Sequence, residues 1–274
     1  MASISPYGKR FISYLRRSQI RRLAALGIRA DGRALDQYRD ISIKTGVVNT
    51  ADGSAEVLLG RTRVVAGVKI GIGQPFPDAP DEGVLIVNAE VLPHASPYSE
   101  VGPPDEVAIE LARVVDRGIR HSGFVEFKKL AIDASKVYVV WVDLYVLNDD
   151  GNLVDASNLA ALAALRSAAL PAAVKDESGA VKLDKSNRSA MPTNLSRMPL
   201  AVSIGKMEAR LLADPNFEEE LSLDGRITIT TAGEEVVSMQ KTVGYFTEQE
   251  LFQAVDMAFS LRRKLQDVVL KSLV

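Results

Sequence analysis

Residues 137–170 read VYVVWVDLYVLNDDGNLVDASNLAALAALRSAAL, and this stretch decides the architecture. Val137 to Leu147 is a long apolar run rich in β-branched and aromatic side chains, the composition of a strand. It breaks at Asn148-Asp149-Asp150-Gly151, a turn-forming cluster, and an Ala-rich helix then runs to about Leu170. Ala160, Ala161, Ala163 and Ala164 let that helix lie close to another element. Upstream, a basic helix over roughly 8–26 stops near Gly27, and β-type segments follow at Ile41–Lys44, Ala55–Leu59, Arg63–Ile70 and Val84–Leu92, with Asp52-Gly53 as a turn between the first two. These lead into a helix from Gly102 to Ser122. Downstream, polar residues without strong periodicity predict a surface excursion. Strands follow at Leu200–Ile204, Ala209–Leu212, Arg226–Thr231 and Glu235–Thr242, and a helix from about Thr247 to Ser272 opens on a Thr247/Glu250 capping box. Twice, strands precede a helix that must cover a mixed sheet, which predicts an α+β fold with an internal pseudo-repeat.

The helix over Gly102–Ser122, GPPDEVAIELARVVDRGIRHS, carries the clearest functional signal. Pro103 and Pro104 precede Asp105 and Glu106, acids that the positive end of a helix favours. At 100° per residue, Arg117 and Arg120 fall at about 40° and 340° from Arg113, while Val107, Leu111, Val114, Val115 and Ile119 cluster opposite. One face seats in a core and the other offers three guanidiniums. Such a row suits a polyanion, because the planar fork of Arg donates two hydrogen bonds at once to a phosphate. The competing reading is a solvated face in which Glu106, Glu110 and Asp116 turn the row into ordinary i,i+3 and i,i+4 ion pairs.

Composition narrows the chemistry. The 274 residues are 47% hydrophobic and 25% charged, as in a globular protein large enough to bury a substantial core. The absence of cysteine excludes disulfides, thiolate metal sites and cysteine nucleophiles. With only His94 and His121, a histidine-built zinc site or a Ser-His-Asp triad has little material, and no metal or cofactor is expected. Gly71-Ile72-Gly73 lacks the third glycine and the ensuing helix of a dinucleotide fingerprint. Asp143, inside the apolar strand, reads as a hydrogen-bonded or edge-facing carboxylate. No run of about 18 apolar residues exists and the N-terminus MASISPYGKRF has no apolar secretory stretch, so a cytoplasmic protein without membrane contact is expected.

A net charge of −2 gives no global attraction to nucleic acid, so binding must come from local patches. Residues 1–33 hold Lys9, Arg10, Arg16, Arg17, Arg21, Arg22, Arg29 and Arg33 against Asp31, whereas 213–224 carries Asp214, Glu218, Glu219, Glu220 and Asp224. This asymmetry fits a polyanion, a partner of opposite sign, or an amphipathic surface helix whose Phe11, Ile12, Leu15, Ile20 and Leu23 pack down.

Several local patterns together resemble one family. Arg29-Ala30-Asp31-Gly32-Arg33 with Arg39-Asp40-Ile41, then Ala51-Asp52-Gly53-Ser54-Ala55 and Gly60-Arg61-Thr62-Arg63-Val64-Val65-Ala66-Gly67-Val68, is similar to the opening of an RNase PH-type protein. Gly102-Pro103-Pro104-Asp105-Glu106 with the segment Ile109 to Arg117, Val140 to Leu147, and Asp155 to Ala161 resemble the archaeal exosome subunits of that family that lack a catalytic centre. The likeness runs from about residue 27 to the C-terminus. It implies one RNase PH-type domain over 1–274, made of a basic helix (1–27), a first part (28–172), a surface excursion (173–198) and a second part (199–274). It also implies a hexameric ring of three heterodimers in which this subunit alternates with a catalytic paralogue, beneath RNA-binding cap subunits. Single-stranded RNA threads such a ring and is shortened from its 3′ end by inorganic phosphate.

Phosphorolysis needs an anion held near a helix N-terminus, cations over the scissile phosphate and an acid for the leaving oxygen. Catalytic relatives place a Gly-Thr-Arg triplet at the turn before the second core helix, where this chain reads Gly151-Asn152-Leu153. The arginine is missing, and Asp149, Asp150 and Asp155 crowd the turn, where like charge is expected to repel phosphate and RNA. The neighbouring arginines that relatives carry after their Gly-Pro-Asp turn are replaced by Asp105 and Glu106. Asp214 is the candidate for the catalytic carboxylate, with Pro215 departing from the pattern. No catalytic residue is therefore assigned. By resemblance Arg113 and Arg117 become RNA-phosphate contacts, with Arg120 continuing the row by geometry. Two alternatives stand beside this: a chain that is itself an active phosphate-dependent 3′-to-5′ exoribonuclease, and a purely structural ring subunit without RNA contacts.

Overall fold

The structure is a computed structural model that describes residues 11–175 and 181–272. In chain order its main elements are α1 (Tyr14–Ala25), β1 (Ile41–Thr45), β2 (Gly53–Leu59), β3 (Thr62–Gly73), β4 (Val84–Val91), α2 (Glu106–Ser122), β5 (Ala131–Asp133) and β6 (Lys136–Asn148). There follow α3 (Leu153–Ser167), β7 (Ala169–Lys175), β8 (Val181–Ala190), β9 (Leu200–Met207), β10 (Arg210–Ala213), α4 (Phe217–Glu220), β11 (Gly225–Ala232), β12 (Glu235–Val243) and α5 (Glu248–Lys271). The first sheet runs β1-β2-β3-β6-β4 with β5 beside β6, and only β4 and β6 pair in parallel in it. The second, β10-β9-β11-β12, is antiparallel. The α+β architecture expected from the sequence is present. The long strand β6 fills the centre of the first sheet, between β3 and β4.

The helices α2, α3 and α5 lie between the two sheets. Tyr138, Val140, Val142, Leu144 and Val146 of β6 face them, while Trp141, Asp143 and Tyr145 alternate to the other side of the sheet. Helix α3 touches β2 and β3 on one side and β9 on the other, so Leu153 to Leu165 are all buried, which is why its composition is apolar all round. Its small residues permit a close approach. A Cβ at Gly53 of β2 would stand 2.5 Å from the Ala164 carbonyl oxygen and 2.6 Å from the Ala168 Cα.

Two expectations need correction. The 173–198 excursion contains β8, which pairs with β7 as a hairpin. Of β8 only its start reaches the core, through Leu183, and from Lys185 to Ser189 its side chains are polar and exposed, so the strand shows no sustained alternation. Helix α1 begins at Tyr14, with Ser13 capping it through the Arg16 N–H; the start expected at 8 lies outside the described residues. Only Ile20 and Ala24 of α1 are buried, whereas Phe11 and Leu15, expected to pack down, are 79% and 81% exposed. No helix among the described residues is long and apolar enough to cross a membrane.

Candidate nucleic-acid interface

Helix α2 is fixed at both ends by local chemistry. The Asp105 side chain accepts the Ala108 N–H at 2.8 Å, and Gly123, at φ 75°, ends the helix in the left-handed conformation that favours glycine. Val107, Leu111, Val114, Val115 and Ile119 are buried as expected, which turns the arginine face outward. Arg113 and Arg120 are exposed and Arg117 is half-buried. With Val87, Ala112, Asp116 and His121 they line an open cleft of about 280 Å³.

The structure divides the row between the two sequence readings. Arg120 is engaged internally, donating to both Asp116 carboxylate oxygens at 2.7 and 3.2 Å and to the Leu85 carbonyl at 2.9 Å. Arg117 meets a neutral partner, Gln240, whose Oε1 accepts from its Nη1 at 3.1 Å. Among the described residues Arg113 has no hydrogen-bond or ion-pair partner. The ion-pair reading therefore holds at Arg120, while Arg113 and Arg117 keep their charge available.

The opposite has happened at the N-terminus of α3, where an anion would be expected to bind. Asn152, in the left-handed region at φ 55°, gives its N–H to Glu220 Oε1 at 2.9 Å and its side-chain Nδ2 to Asp155 (2.9 Å) and Asp214 (2.7 Å). Each acid is held in turn. Arg226 donates to Glu220 at 2.7 Å, Arg39 to both oxygens of Asp214 at 2.7 and 3.0 Å, and Arg33 to Asp214 at 2.8 Å. Arg29 grips Glu219 through two nitrogens. Asn152, Asp155, Asp214 and Glu219 are each at most 3% exposed, so the turn before α3 is occupied by the chain's own carboxylates, which take the Asn152 N–H and side-chain amide, and is closed to solvent. The acids at this turn are not the open repulsive cluster expected from sequence: Asp150 meets Arg39 and Arg61, and Asp149 accepts the Gly151 N–H.

Asp155 accepts four hydrogen bonds, from Tyr38 Oη, Asn152 Nδ2, and the N–H and Oγ of Ser203. Burial nevertheless raises its pKa to about 6, and burial with the adjacent Asp155 charge pushes the Tyr38 phenol upward. Asp214, the sequence candidate for a catalytic acid, is wholly enclosed by the protein and bonded to Arg33, Arg39 and Asn152.

The remaining candidates are quiet. Asp143 accepts from Asn88 Nδ2 at 3.0 Å, as a hydrogen-bonded strand carboxylate does. His94 and His121 are exposed, and among the described residues no group of three His, Asp or Glu side chains is placed to hold a metal. The basic and acidic segments meet each other: Arg16 pairs with Glu218, Arg21 with Glu208 and Asp224, Arg29 with Glu219, and Arg33 with Asp214. What the sequence did not reveal is the roles of Arg29, Arg33 and Arg39, quoted in its motifs but not read as clamps on acids some 180 positions away, and of Gln240, which no local pattern marks.

Known proteins resemble this chain along most of its length. The 3′ exoribonuclease family, RNase PH type, matches over residues 37–171 with its domain 1 and over 197–260 with its domain 2. The exosome complex component Rrp42 of Pyrobaculum aerophilum is 64% identical over the whole of both chains. That of Thermococcus onnurineus is 49% identical over 93% of this chain and 94% of its own. Among solved structures, an Archaeoglobus fulgidus exosome with RNA bound to the active site contains a chain 42% identical, with a TM-score of 0.84 over 92% of this chain and 97% of that one. An archaeal exosome core contains another at 40% identity and a TM-score of 0.80, over 93% and 96% of the two chains.

Proposed function

The chain belongs to the RNase PH-type 3′ exoribonuclease family, in the branch of the archaeal exosome component Rrp42, and from that premise we propose that it grips RNA which a neighbouring subunit degrades. It is a non-catalytic core subunit of an exosome ring. In this reading it alternates with a catalytic RNase PH-type paralogue as three heterodimers, beneath RNA-binding caps, in the cytoplasm. Arg113 and Arg117 contact the phosphates of a single strand entering the paralogue's cleft, and Arg120, its charge shared with Asp116, flanks them. Phosphate contacts carry no base information, so the grip is independent of sequence and sensitive to salt.

The observation that carries the reading is a contrast within one chain. The turn at the helix terminus suited to an attacking anion is occupied by Glu220, which takes the Asn152 N–H, and by Asp155 and Asp214, which take its side-chain amide, while a row of arginines elsewhere is left without acids of its own at Arg113 and Arg117. Filling the anion site removes the electrostatic stabilisation that phosphorolysis depends on, a loss worth orders of magnitude in rate. The test is an Arg113→Glu/Arg117→Glu ring reconstituted with the paralogue. RNA affinity at about 0.1 M salt is expected to fall at least tenfold, since two phosphate contacts are lost and two repulsions gained. Unchanged affinity would favour a purely structural subunit.

A further inference from the structure

Glu110 precedes Arg113 by three positions on α2, the spacing at which an acid and a base on one helix ordinarily pair. They do not pair, because Glu110 is taken by another element. Its Oε1 accepts from Gln240 Nε2 at 3.2 Å and from Thr242 Oγ1 at 3.1 Å. The other end of the same amide, Gln240 Oε1, accepts from Arg117 Nη1. Gln240 and Thr242 stand two residues apart on β12, so strand alternation turns both toward α2. A neutral amide here does two things an ion pair would not. It withdraws a carboxylate from the arginine row, and it fixes Arg117 without adding negative charge.

We infer that Gln240, with Thr242, is a positioning residue for the RNA grip, holding Glu110 away from Arg113 and orienting Arg117 while both guanidiniums stay uncompensated. This rests on the reading of Arg113 and Arg117 as phosphate contacts. Released from β12, Glu110 is free to neutralise Arg113, and a phosphate must then displace a carboxylate instead of a mobile counterion.

The experiment uses the ring reconstituted with its catalytic paralogue and titrated with a fluorescent oligoadenylate over a salt series, with mass measurement of each variant ring to establish assembly. Gln240→Met is expected to weaken binding about fivefold and to make the plot of log affinity against log salt shallower by about 0.7, the value of one phosphate on a single strand. Adding Glu110→Gln to Gln240→Met is expected to recover most of both losses, a rescue that a merely structural role for Gln240 does not produce. Should Gln240→Met fail to assemble, Thr242→Val removes one of the two donors to Glu110 at nearly constant shape, and a loss of about twofold is expected. The inference is overturned if these variants keep native affinity and slope while Arg113→Gln/Arg117→Gln loses both, or if Glu110→Gln gives no rescue. If Arg113→Gln/Arg117→Gln itself binds as the native ring does, the phosphate-contact reading fails and the inference falls with it.

Discussion

Asp155 shows how tightly the anion site has been closed at the level of single residues. Four donors converge on one carboxylate, yet burial keeps its pKa near 6, above the ordinary 3.8. The folded chain therefore holds a proton there that the unfolded chain has released between about pH 4 and about pH 6. The stability contributed by that proton is complete below the unfolded value and is lost as pH rises through the folded one. Replacing Asp155 by Asn puts an N–H where only acceptors fit, at an expected cost of about 2 kcal/mol at neutral pH. Urea unfolding of the two chains should show the native advantage narrowing from about pH 4 to about pH 6 and level above. An advantage independent of pH across that window would contradict the assignment of the shift to burial.

Between elements, the contact that sets the spacing of α3 against the first sheet is at Gly53. A methyl group there meets backbone and Cβ atoms of Ala164 and Ala168 at 2.5 to 2.7 Å, which flexible side-chain motion cannot relieve. Gly53→Ala should destabilise the chain by about 2 kcal/mol through overpacking. Gly67→Ala, on β3 with no atom within 4 Å of the added carbon, should be neutral or slightly stabilising, because alanine loses less backbone entropy in a strand. Thermal unfolding of the pair reads the difference directly, and equal shifts would mean that α3 does not rest on β2 as described. The Ala-rich pattern of 153–167 announced a close approach, but which strand it approached was not in the pattern, since small side chains are equally compatible with any neighbour.

For the whole molecule, the decisive expectation is that the purified chain, given single-stranded RNA and orthophosphate, releases no nucleoside diphosphates, whereas the ring with its paralogue does. Release by the chain alone would mean that the closed terminus of α3 opens to admit phosphate. How the charges are shared was the least legible feature of the sequence. The basic residues of 1–33 suggested an outside polyanion, a partner or a packed surface helix, but Arg16, Arg21, Arg29 and Arg33 find acids in the chain's own 208–224 region, up to 203 positions away. The helices α1, α2, α3 and α5, the strands β1 to β4, β6 and β9 to β12, the apolar and arginine faces of α2 and the family motifs were legible, because helix and strand periodicities follow from backbone geometry over a few residues, whereas β5, β7, β8 and α4 were not. Which carboxylate neutralises which arginine is decided only when distant segments pack. Glu110 lies one turn from Arg113 and yet bonds to Gln240, 130 positions on, because the folded chain brings β12 against α2 and gives that acid two neutral donors in place of a cation.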